Sequence, residues 1–201
     1  MAIFTGADIL LPKNADYEKW AVIACDQFTS QPEYWTAVAE QVGQAPSTLH
    51  MILPEVLLPG SDEQIAAIHQ TMADYLAAGV FAEYKNSFIY VERTLLDGTV
   101  RKGLVGALDL EKYDYHPEAD APVRATEATV QERIPPRVRV RKGAPLEMPH
   151  VLLLCDDEKK TIIEPLADAR DKMTKVYDFA LCAGGGQIRG WLLGCIVFLD
   201  F

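Results

Sequence analysis

Close cysteine pairs are missing from this sequence. Its four cysteines, Cys25, Cys155, Cys182 and Cys195, are scattered along the chain. That spacing excludes a structural zinc site of the Cys-x-x-Cys kind, and the count is low for a disulfide scaffold. The thiols read as reduced and mostly buried, in a cytoplasmic protein. Histidine is equally sparse: among His50, His69, His116 and His150 no two stand at metal-ligand spacing, which argues against a zinc enzyme. No Gly-x-Ser-x-Gly elbow, P-loop ending or dinucleotide fingerprint is present. No apolar run approaches the roughly 20 residues that a membrane span needs. The start, Met1 to Gly6, has no basic region and no long apolar stretch, so no signal peptide is visible. Repeats and low-complexity linkers are also absent.

Positive charge is in short supply, and that makes its placement informative. The net charge is -10 and the isoelectric point about 4.8, a balance that argues against general nucleic-acid binding, because most of the surface would repel phosphate. Yet Arg124, Arg133, Arg137, Arg139, Arg141 and Lys142 crowd one stretch that contains only two acids, Glu127 and Glu132. A guanidinium offers a planar fork of donors suited to carboxylate or phosphate oxygens. Two readings stay open. Either this stretch, read as two Pro-flanked basic strands, holds a small anionic metabolite or a nucleotide, or it pairs with the chain's own carboxylates.

With 201 residues and 49% hydrophobic content, the chain can bury one substantial core. Strand and helix signals alternate along it. Trp20 to Ala24 and Leu49 to Leu53 read as short buried strands. Ser30, Pro32 and Glu33 predict a helix start, with a stop at Gly43. Ser61 and Gln64 form a second capping-box pattern, followed by Ile65, Ile68, Met72, Tyr75 and Leu76 at helical spacing up to Gly79. Phe88 to Leu95 and Thr99 to Leu108 flank Asp97-Gly98, a hairpin signature. Thr126 to Ile134 reads as a short helix stopped by Pro135-Pro136. A second hairpin is expected from Val151–Leu154 through Asp156-Asp157-Glu158 to Thr161–Ile163, then a helix from Leu166 to Tyr177. The fold class is therefore α+β, with a mixed or largely antiparallel sheet, two hairpins and flanking helices. The run from Trp191 to Leu199 is read as an unpaired apolar strand, which makes 191–201 an atypical end, produced by truncation or frameshift, and 1–190 the N-terminal part of a longer domain.

Three places could carry chemistry. Asp26 follows the first apolar run and precedes a helix start, where a carboxylate can serve as general base or metal ligand, or can simply cap the turn. Glu127, Thr129 and Arg133 could share one side of a short helix and bind a polar metabolite, or form an exposed partial salt bridge. Gly184-Gly185-Gly186 with Arg189 could present backbone N–H groups to an anion, or serve as a flexible turn.

Several stretches together resemble one family. They include Val22-Ile23-Ala24-Cys25-Asp26-Gln27-Phe28-Thr29-Ser30, Asn86-Ser87-Phe88-Ile89-Tyr90-Val91-Glu92-Arg93-Thr94, Arg124-Ala125-Thr126-Glu127-Ala128-Thr129, Glu132-Arg133-Ile134-Pro135-Pro136-Arg137 and Gly184-Gly185-Gly186. This pattern is similar to the domain-of-unknown-function 1015 family. Members are about twice this length, and their second half carries a motif similar to the phosphate-binding box of the ParB, sulfiredoxin and free-serine-kinase superfamily. The resemblance implies a nucleotide-dependent kinase acting on a small hydroxy amino acid such as serine, with magnesium accompanying the nucleotide. Asp26 matches the family's Asp near the first strand and would be the base. Arg124, Glu127, Thr129 and Arg133 would hold the substrate, with Thr126 standing where many members have His. The alternative is a non-enzymatic metabolite-binding or regulatory protein, or an inactive fragment. No membrane or nucleic-acid partner is expected, and the oligomeric state stays open.

Overall fold

A computed structural model describes residues 2–116 and 118–194 of the chain. The strands are β1 (Phe4–Thr5), β2 (Ala7–Pro12), β3 (Phe81–Thr94), β4 (Val100–Val105), β5 (Ala107–Leu108), β6 (Tyr113–Asp114), β7 (Val123–Arg124), β8 (Thr174–Ala180) and β9 (Gln187–Leu193). The helices are α1 (Tyr17–Trp20), α2 (Pro32–Val42), α3 (Asp62–Ala77), α4 (Ile134–Arg141) and α5 (Ile163–Ala169).

The long β3 organises the sheet. Its first half pairs antiparallel with β2, from Pro12↔Phe81 to Ala7↔Ser87. Its second half is central, with β4 on one side and β9 on the other, and β8 closes the far edge beyond β9. Among the described residues only the short β6–β7 pair is parallel. The α+β architecture and mostly antiparallel sheet therefore match the sequence reading. The hairpin across Asp97-Gly98 is present as β3–β4, with Asp97 accepting from the Thr99 N–H at 2.9 Å and Gly98 at φ 84°.

Helix α5 covers one face of the sheet, packing Leu166 and Ala167 on Tyr90, Trp191 and Leu193. On the opposite face, Tyr17 of α1 stacks on Phe179 of β8, centroids 5.2 Å apart. A second core lies between α1 and α3, where Trp20, Met51, Leu53, Ile68 and Met72 are buried together. The third, smaller one joins Val38 and Val42 of α2 to Cys182. Helix α3 begins with the expected capping box: Gln64 N–H donates to Ser61 Oγ and Ser61 N–H to Gln64 Oε1.

Several local expectations are overturned, each for an identifiable reason. Trp20–Ala24 is not a strand, because Asp16 caps the one-turn helix α1 that ends at Trp20. Leu49–Leu53 gives way to a 3₁₀ turn, Thr48–Met51, capped by the Ser47 hydroxyl. Helix α2 begins on Pro32, but Gln31 is its N-cap and makes no side-chain cap bond, so Ser30 and Glu33 form no capping box. Pro135-Pro136 opens α4 rather than stopping a helix, since proline's missing N–H costs nothing in a first turn. Of the supposed basic strands, Arg137, Arg139 and Arg141 thus lie on one helix, while Arg124 ends β7.

The second hairpin does not form. Residues 151–154 take no regular secondary structure and belong to no strand. The Asp157 carboxylate accepts from the Thr161 and Ile162 N–H groups at 3.0 and 2.8 Å and leads the chain into α5. The helix expected to reach Tyr177 stops at Ala169, and Thr174 opens β8. The apolar run from Trp191 is no unpaired edge over its described part, because β9 lies between β3 and β8. Its remainder, Cys195–Phe201, lies outside the described residues.

Candidate anion site

Helical spacing in and just before α4 determines which guanidinium goes where. Arg133 and Arg137, four residues apart, converge on a single carboxylate. The Arg133 Nη1 lies 3.9 Å from Glu55 Oε1, and Arg137 Nη2 donates to Glu55 Oε2. The Glu55 side chain is only 16% exposed, so these two cations share one anion that is largely shielded from water. Arg139 points elsewhere, donating to the carbonyls of Pro59 and Gly60 at 3.2 and 2.9 Å and pairing with Asp62. Arg141 pairs with Glu147 at 3.3 Å and donates to the Pro149 carbonyl. The helix is fixed in place by Val140, which packs on the core below α3 while its carbonyl lies 2.8 Å from His69 Nε2.

Glu55 ties this helix to the turn that carries Asp26. Its backbone N–H donates to the Cys25 carbonyl at 2.8 Å. Burial pushes the Cys25 thiol up and the neighbouring Asp26 charge pushes it further, while the positive charges of Arg137 and Arg141 pull the other way. Asp26 itself is exposed, and its Oδ1 accepts from the Gln27 side-chain amide at 3.3 Å. The next backbone carbonyl, that of Gln27, accepts from the Trp35 indole at 3.2 Å, anchoring the turn to α2.

The structure therefore brings Asp26 and Arg133 to one neighbourhood through Glu55. The side chains of Arg124, Glu127 and Thr129 are exposed and join no hydrogen bond or ion pair to this group among the described residues. Glu127 and Thr129 also do not share a helix face with Arg133. Helical geometry starts only at Gln131, so their spacing has no helical meaning.

The glycine loop is a tight connection between β8 and β9. The Gly186 carbonyl accepts from the Leu181 N–H at 2.8 Å, and Gly185 O takes two bonds from Arg93. Arg189 sits on Asp178, Nε to Oδ1 at 3.3 Å. His50 and His69 lie 3.1 and 2.8 Å from the backbone carbonyls of Ala45 and Val140, and His116 contacts Asp114 at 2.6 Å. Among the described residues no group of three or more His, Cys, Asp or Glu could hold a metal ion, and no helix is long and apolar enough to cross a membrane.

Sequence reasoning missed Glu55 and the aromatic pair Phe28 and Tyr34. Glu55 had a signal, being the lone charge in the apolar stretch from Met51 to Leu58. It also missed the buried Glu92, which accepts from the Tyr90 hydroxyl at 2.9 Å and from Arg170 at 3.0 Å.

The arrangement as a whole is a basic helix partly neutralised by its own acids, facing a carboxylate-bearing turn. Residues 8–193 match the family model described as "Protein of unknown function (DUF1015)". The chain belongs to the DUF1015 family. Comparison with curated proteins and with solved structures finds no match. The DUF1015 match spans both the Asp26 turn and α4.

Proposed function

We propose that this DUF1015 chain holds a small anionic metabolite between the Arg133–Arg137 side of α4 and the Asp26 turn. The observation that carries this reading is the sharing of Glu55 by two guanidiniums, which leaves an excess of positive charge beside Asp26. A polyanion can compete for those arginines, because the two guanidiniums are themselves about half exposed and such pairs hold only about 1 kcal/mol or less.

The reaction that fits the family resemblance is phosphoryl transfer from a nucleotide to the hydroxyl of a small amino acid such as serine. The hydroxyl oxygen attacks the terminal phosphorus, its proton passes to Asp26, and the bond to the leaving nucleotide oxygen breaks with its electron pair. Catalysis of this kind rests on positioning and charge neutralisation. Magnesium would enter with the nucleotide, since such ions are held chiefly by substrate phosphates, water and one or two carboxylates. Arg124, Arg133, Glu127 and Thr129 would orient the amino acid.

A second reading is ligand binding without turnover. It is favoured by the carboxylate partners that Arg133, Arg137, Arg139 and Arg141 already have, which a ligand would displace rather than find bare. Incubation with magnesium-ATP and L-serine, followed by detection of phosphoserine, separates the two. Product that disappears in Asp26→Asn supports transfer. Calorimetric binding of phosphoserine with no product from the unmodified chain supports the binding reading.

A further inference from the structure

The turn after Asp26 carries an aromatic stack whose outer ring, Phe28, the proposed transfer step does not use, while Tyr34 packs on the Val38–Val42–Cys182 core and Trp35 is buried. Gln27 N–H donates to Ala24 O at 3.0 Å and Gln31 N–H to Phe28 O at 3.1 Å, so two tight turns follow one another before α2. Between them Phe28 takes φ 54°, a left-handed value that a bulky side chain rarely accepts. Such conformations persist only where the surroundings enforce them. Here the enforcement is aromatic. The Phe28 ring lies face to face on Tyr34, centroids 3.8 Å apart and planes within 8°. Tyr34 stands edge-on to Trp35 at 5.4 Å, and the Trp35 indole in turn holds Gln27 O. Burial raises the Tyr34 phenol to about 12, so it stays neutral in this stack.

Phe28 remains 37% exposed, on the same short turn as Asp26. Phe28 is three residues beyond Cys25, hence at most about 11 Å along the chain from the point where the Glu55 N–H, on the residue that pairs with Arg137, donates to the Cys25 carbonyl. A flat apolar face next to guanidiniums, one short spacer away, matches the layout of a mononucleotide, whose ring and phosphates are separated by a single ribose. Base-on-aromatic stacking tolerates any base, because each has a π-face.

We infer that Phe28 is the stacking platform for the planar base of a nucleotide whose phosphates reach Arg133 and Arg137. This inference rests on the proposed anion site and assigns it a nucleotide rather than a bare acid. Tyr34 backs the platform and holds its angle.

The test compares ATP, adenosine and inorganic pyrophosphate by calorimetry against the full chain and two variants, Phe28→Asn and Phe28→Trp. Asparagine tolerates the left-handed conformation, so Phe28→Asn removes the ring while relieving the backbone, and its thermal melt should not fall. The expected result is at least a tenfold loss of ATP and adenosine binding in Phe28→Asn, with pyrophosphate binding unchanged. Phe28→Trp should keep ATP binding and show quenched indole fluorescence on adding adenosine. Unchanged ATP affinity in a folded Phe28→Asn, with pyrophosphate still bound, overturns the platform and leaves the anion site standing. Failure of both ATP and pyrophosphate to bind the unmodified chain overturns the two together.

Discussion

Glu55 is where the competing readings of the arginines meet. It is shared by Arg137 and Arg133 and, through its backbone, holds the Cys25–Asp26 turn. If the arginines serve a ligand, Glu55 is its built-in competitor. Glu55→Gln should therefore tighten pyrophosphate binding several-fold while lowering stability by about 1 kcal/mol, the latter discounted because the arginines are partly exposed. Calorimetry and urea titration read the two effects separately. A purely structural ion pair would show the stability loss alone. Glu92 gives a contrasting case away from the site. It is 6% exposed and has Tyr90 and Arg170 as partners. Burial first, and the bond to Glu92 second, raise the Tyr90 phenol. Arg170→Ala strips a charge partner from a buried carboxylate and should cost about 1–3 kcal/mol in urea unfolding, with no effect on anion binding.

At the scale of elements, turn chemistry can be read directly where a side chain caps or a glycine is required. The Ser61–Gln64 box and the Asp97-Gly98 hairpin were visible because their local chemistry agrees with the tertiary structure. Gly186 belongs to the same class in hindsight. It has φ 87°, and an added Cβ would come within 2.2 Å of the Thr94 carbonyl. Gly186→Ala should therefore destabilise the β8–β9 connection by well over about 1 kcal/mol, seen as a lower urea midpoint. What escaped the sequence reading was set by context. Val-Arg-Val-Arg alternates like a strand, yet Pro135-Pro136 placed in a first turn makes it helical. Val151–Leu154 has strand composition, yet Asp157 diverts the following residues into a helix start. For the site, Asp26 and Arg133 could be read from the pattern, whereas their linkage through Glu55 spans 29 and 78 residues of chain and leaves no periodic trace.

On the scale of the whole molecule, charge sets the response to pH. Asp8, Asp157 and Asp178 are held below the usual 3.8, Asp8 chiefly by Lys85, Asp157 by the Thr161 N–H and Asp178 by Lys175. Depressed carboxylates contribute stability above the unfolded value and lose it as pH falls through the lower folded values. The melting temperature should stay nearly level down to about pH 4 and decline below it. A flat profile continuing well below that pH would contradict these assignments. Raised phenols work in the opposite direction: Tyr34, at about 12 against an ordinary 10.0, loses its contribution as pH climbs between those values.

We propose one local site for anions on this acidic chain, at Arg133 and Arg137 beside Asp26. It is tested most directly by calorimetric titration of inorganic pyrophosphate into the unmodified chain and into the double variant Arg133→Ala/Arg137→Ala. The account predicts saturable binding to the first and a loss of affinity on the order of 10-fold or more in the second, with the fold intact by circular dichroism. Binding of equal strength to both, or none to the unmodified chain, would contradict it.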